Sequence, residues 1–98
     1  MLDGRLPYLG PVRVEITFGL SRPAAHYRTG KYAGHIRDSA PVWPGGRPDL
    51  DKLVRALLDG LTMGGAWSDD SQVVQLTASK IYGVPGCTIT FYKIGAIQ

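Results

Sequence analysis

The chain has 98 residues, with 11 Lys or Arg against 8 Asp or Glu and a net charge of +3. That length supports one domain with one modest core, read here as residues 1–98. The lone cysteine, Cys87, rules out an internal disulfide, no apolar run reaches membrane-spanning length, and MLDGRLPYLG lacks the apolar core of a signal peptide. The expectation is a cytoplasmic protein with no membrane partner.

Residues 1–11 read as a linker-like tail. Residues 12–20 then alternate, with Val12, Val14, Ile16, Phe18 and Leu20 on one side and Arg13, Glu15, Thr17 and Gly19 on the other. Period-two alternation predicts a half-buried strand. Residues 21–48 show no sustained period and contain the turn-rich PVWPGG, which predicts a long loop. Arg22, Arg28, Lys31, Arg37 and Arg47 fall in or at the end of this loop against one acid, Asp38, and His26, Tyr27, Tyr32, His35 and Trp43 are interleaved among them. Basic groups neutralise phosphates and rings stack on bases, so Arg28, Lys31, Arg37 and Arg47 are candidate DNA contacts. A solvated loop with a few anchoring aromatics is the competing reading.

Leu50, Leu53, Val54, Leu57, Leu58 and Leu61 trace one face of an amphipathic helix, which Gly64-Gly65 should stop. Residues 72–82 alternate again, GVPG makes a turn, and residues 87–94 should close a hairpin. The order strand, loop, helix, strand, strand predicts an α+β fold: a small mixed sheet packed against one main helix.

Four of the acids sit in two tight groups, Asp49-Leu50-Asp51 and Asp69-Asp70. Like charges repel unless a hard cation joins them, and magnesium takes a few carboxylates plus water and phosphate oxygens. Pro48 keeps the approach extended, so Asp49 and Asp51 can converge at the helix start. The alternative is a turn residue and a cap. Strand parity selects Asp70 over Asp69, on the face of Val74 and Leu76. The helix carries the chain about 16 Å from Asp51, so Asp70 returns only if Gly64-Gly65 turns sharply and 66–68 run back along the helix. Arg55, one turn after Asp51, either reaches the scissile phosphate or forms a surface ladder with Asp51 and Asp59. Lys80 reads as a DNA-backbone or structural lysine.

The stretch RPDLDKLVRALLDGLTMGGAWSDDSQVVQLTASKIYG, residues 47–83, resembles the RusA family of Holliday junction resolvases. The signature is Asp-x-Asp, a helix ending in LLDGL, a glycine-bearing loop, Asp-Asp-x-Gln-Val and a later lysine. The resemblance implies a homodimeric, Mg2+-dependent endodeoxyribonuclease that binds four-way DNA junctions and nicks two opposing strands in recombination and repair. Asp49, Asp51 and Asp70 match the metal-binding aspartates. Arg55 stands where the family often has an essential lysine, and Lys52, a further candidate DNA contact with Lys80, where it often has asparagine. Arginine and lysine are not interchangeable, so the role of Arg55 departs from the pattern. The family usually carries another strand and helix before residue 12. A start assigned too late is preferred to a real shortening, because an uncovered sheet edge and apolar face are liabilities. Alternatives are a non-catalytic DNA-binding protein and a broader structure-selective nuclease.

Overall fold

The computed structural model describes residues 6–95. Three strands and one long helix follow one another along it: β1 (Val12–Leu20), α1 (Leu50–Met63), β2 (Val73–Tyr82) and β3 (Gly86–Lys93). The fold is α+β. β1 lies in the middle of the sheet, parallel to β2 and antiparallel to β3. The predicted hairpin is therefore corrected: residues 87–94 pair with β1 and not with β2. The short link 83–85 crosses over the end of β1. It passes so close to Gly19 that a Cβ there would collide with the Val84 carbonyl.

Alternation along β1 does what its pattern predicts. Val12, Val14, Ile16 and Phe18 are buried, and Ala66 and Trp67 complete the core, with the apolar stripe of α1 packed against it. Trp67 is fully buried, meets Phe91 edge-on at 5.7 Å between ring centroids, and donates from Nε1 to Thr62 Oγ1 at 2.8 Å. Burying such side chains stabilises a fold by roughly 1.5–3 kcal/mol each. α1 is the only α-helix among the described residues, and Leu76 stays 45% and Phe91 38% exposed.

The parity expected for β2 is broken at its start. A register shift between Val12 and Arg13 pairs Val12 with Val73 and Arg13 with Gln75. An extra residue in one strand turns the side chains before it to the other face. Val73 thus packs on the core, and Val74 is 57% exposed. Asp70 lies before the strand, in a 3₁₀ turn over Asp70–Gln72, so its expected strand parity with Val74 and Leu76 does not hold.

Of the segment read as a linker-like tail, residues 1–5 lie outside the described residues. From Tyr8 it is anchored. Tyr8 bridges to Trp67, its hydroxyl donates to the Ile94 carbonyl at 3.1 Å, and Gln72 Nε2 donates to the carbonyls of Tyr8 and Gly10, each at 2.8 Å. The loop 21–48 is long, as expected, but it folds on itself: Tyr27 bridges Ile36, Arg28 N–H donates to His35 O at 2.7 Å, and Arg37 N–H to His26 O at 2.8 Å.

Candidate metal and nucleic-acid site

Asp49 caps α1 in extended conformation (φ −71°, ψ 134°), and Asp51 lies in the first turn. Extended geometry is usual for the residue that opens a helix, and the Asp49 carboxylate makes no capping hydrogen bond to the helix backbone. Its partner is Lys52, at 3.5 Å, and both side chains are at least half exposed. Such a surface pair contributes little to stability and can be exchanged for another ligand. Arg47, Pro48, Asp49 and Lys52 line an open hollow of about 420 Å³ here. The helix N-terminus adds partial positive charge, which favours carboxylate and phosphate alike. Arg55, one turn on, is exposed and forms no ion pair among the described residues.

Lys80 reaches this end of the molecule from β2. Its Nζ donates to the carbonyls of Gly46 at 2.6 Å and Pro48 at 2.8 Å. These bonds tie down the segment that delivers Asp49 to the helix.

Asp70 is at the opposite end. Thr62, in the last turn of α1, donates its hydroxyl to the Asp70 carboxylate. The turn that holds it is built by its neighbours. Asp69 caps the turn and accepts from Ser71 N–H at 2.8 Å, while Gln72 Oε1 accepts from the N–H groups of Ser68 and Asp69 at 2.9 Å. Hydrogen bonds from the Ser71 backbone and then its side chain hold the Asp69 carboxyl below the ordinary range. The sequence reading sets Asp69 aside in favour of Asp70 and gives Gln72 no role beyond the Asp-Asp-x-Gln-Val signature, although Asp-x-x-Gln is a capping-box spacing.

The expected return of Asp70 to Asp51 within one chain does not occur. The Gly64-Gly65 turn forms, with Gly65 at φ 87°, but residues 66–67 then drive into the core beside Tyr8 and do not run back along the helix. The reason is topological. β2 is parallel to β1, so it begins where β1 begins, and α1 runs the other way between them. A residue just before β2 sits at the helix C-terminus, about 16 Å of helix from Asp51. Among the described residues, no three His, Cys, Asp or Glu side chains are grouped to hold a metal.

The basic loop divides its charges between structure and solvent. Arg28 pairs with Asp38 at 3.2 Å, and Arg37 Nε donates to the Ala25 carbonyl at 3.2 Å. Lys31, exposed, lies 5.8 Å from the Tyr32 ring centroid. No helix among the described residues is long and apolar enough to cross a membrane.

Comparison with known proteins bears on this arrangement. The sequence model of the family described as "Endodeoxyribonuclease RusA" matches residues 1–92. A protein of Lactococcus phage r1t named "Crossover junction endodeoxyribonuclease rusA" is 49% identical over 39 residues, which is 40% of this chain and 30% of that protein. The chain thus matches less than a third of that relative's length.

Proposed function

The chain belongs to the RusA family of endodeoxyribonucleases, and from that premise we propose that it resolves four-way DNA junctions by Mg2+-dependent nicking of two opposing strands, acting as a homodimer. The observation that carries this reading is the exposed Asp49–Asp51 pair at the start of α1, set between Arg47 and Lys52. Pure DNA binding has no use for carboxylates there, because they repel phosphate.

The donor set fits a hard cation: Asp49 offers oxygen ligands in an open hollow that leaves room for water and phosphate, and Asp51 adds a second carboxylate from the first turn of the same helix. When bound, magnesium supplies Lewis-acid charge and eases deprotonation of the attacking water. Arg47 and Lys52 neutralise the phosphate on either side, Arg55 supports its developing charge, and Lys80 keeps the Pro48–Asp49 peptide in place. Lys31, Arg28 and Arg37 follow the backbone of an arm. Asp70 serves the same centre, and since its own chain holds it at the far end of α1, it serves the centre of the partner subunit. In a two-fold dimer each protomer then gives one pair and one single carboxylate to two sites.

The second reading, a DNA-binding protein without catalysis, draws on the two-carboxylate count in a single chain. A four-way junction incubated with the purified chain, with Mg2+ or with chelator, separates them. Metal-dependent paired nicks that vanish in Asp49→Asn support the nuclease. Junction binding without cleavage at any Mg2+ concentration overturns it.

A further inference from the structure

A second hollow, of about 330 Å³, lies where the ends of β1 and β2 meet the basic loop, and the proposed chemistry does not use it. Ser21, Arg22, Tyr27, Ile36, Tyr82 and Gly83 line it. Its cation is fixed in place. The Arg22 guanidinium lies 4.3 Å from the Tyr82 ring centroid, donates to the Pro41 carbonyl at 2.8 Å, and stands 3.3 Å from His26 Nδ1. His26 in turn meets Tyr82 edge-on at 5.3 Å between centroids. Tyr27 is held across the hollow by its bridge to Ile36. Arg22, Tyr27 and Tyr82 are all only half-buried, and they border a space that the described residues leave unfilled.

We infer that this hollow receives one unpaired nucleotide of a branched DNA, its base stacked against the Arg22–Tyr82 pair and Tyr27; the inference rests on the proposed junction function. An arginine plane and aromatic rings are the surfaces that hold splayed-out bases, and they tolerate any base because each has a π-face. Bases paired within a duplex arm cannot enter. Those at a branch point have lost stacking partners and can leave the stack at lower cost.

Position strengthens the assignment. Tyr82 is two residues beyond Lys80 on the same face of β2, about 6.6 Å along the strand, and Lys80 is bonded to the Pro48 carbonyl beside Asp49. The hollow and the Asp49–Asp51 pair therefore share one end of the molecule. A nucleotide captured in the first lies close along the strand to a phosphate presented to the second. Capture of a displaced base would tie cutting to the branch and spare linear duplex.

Photo-crosslinking tests this on the unaltered full chain, so no variant has to fold for the result to count. Junctions carry 5-iodouracil either at the branch point or mid-arm, and crosslinked peptides are identified by mass spectrometry. The expected adducts are on Tyr27 or Tyr82, from the branch-point probe only. In parallel, Arg22→Lys keeps the charge but loses the plane, Tyr82→Leu loses the ring, and Tyr27→Phe keeps it. The first two should each weaken junction binding about tenfold with linear-duplex binding unchanged, and Tyr27→Phe should bind as the parent does. Crosslinks confined to other residues, equal crosslinks from the mid-arm probe, or parent-like junction binding by Arg22→Lys and Tyr82→Leu would each overturn the inference while leaving junction resolution standing. A chain with no preference for junctions over duplex of equal length would overturn both.

Discussion

Mixing two inactive variants offers the sharpest test of how the carboxylates meet. Ligands of one magnesium ion lie about 2.1 Å from it, so their oxygens are within roughly 4 Å of each other. Asp51 and the Thr62 that holds Asp70 are separated by about 16 Å of helix, and side-chain rotation cannot close that gap. If Asp70 serves the partner's centre, Asp49→Asn and Asp70→Asn are each inactive alone for different reasons. In a mixed dimer both substitutions fall in one site and the other site is untouched. Random co-refolding of equal amounts makes about half the dimers mixed, so about one quarter of the parent's sites are restored. A mixed dimer has one working site, so a plasmid carrying an extruded cruciform should become a nicked circle, where the parent gives linear product. A mixture as inactive as its components would refute the shared site. Parent-rate cutting by Asp70→Asn alone would remove Asp70 from the mechanism altogether.

Three other perturbations follow from the same geometry. Gln72→Ala deletes the bonds that join the 3₁₀ turn to Tyr8 and Gly10 and should lower stability by about 1–3 kcal/mol; an unchanged urea midpoint would show those bonds to be incidental. Lys80→Met keeps the aliphatic stem and loses the contacts to Gly46 and Pro48, so junction cleavage should fall at least about tenfold and residues 41–48 should become more sensitive to protease, whereas parent-like kinetics would leave Lys80 no positioning role. The Asp69 carboxyl is held below its ordinary value in the folded state; its contribution is therefore fully present above the ordinary aspartate range and lost as pH falls through the depressed folded value. Asp69→Asn should flatten that part of the acid-unfolding curve, and identical acid curves would remove the linkage.

The elements readable from the residues are those whose causes are local. Alternation at 12–20 and the leucine spacing from Leu50 describe how a short segment meets a core, and β1 and α1 form where those patterns lie. What was not legible depended on distant partners. A four-residue turn fits a hairpin as well as it fits a link over the end of another strand, and only the pairing of β1 decides between them. The shift at Val12/Arg13 exchanges the roles of Val73 and Val74 without any mark in β2 itself. That Asp49 and Asp51 stand at the start of α1 was legible because the leucine spacing from Leu50 marks where the helix begins. The position of Asp70 was not, since it follows from β2 running parallel to β1. Lys80 gained its place at the Asp49 end from the same parallel pairing.

The central place of β1 also sets an order of events in the making of the protein. Val12 is paired with Val73 on one side and Lys93 on the other, so both neighbours of the first strand are synthesised long after it. Until residues 73–82 are out of the ribosome, the strand that carries Val12, Val14, Ile16 and Phe18 has two open edges, and until residues 86–93 follow it keeps one. The helix can form early, but the sheet can only assemble once nearly all the described chain exists. Sequence-distant pairings of this kind fold slowly and expose sticky edges while they wait. Folding and association with a second copy thus compete for the same unpaired strand in the nascent chain.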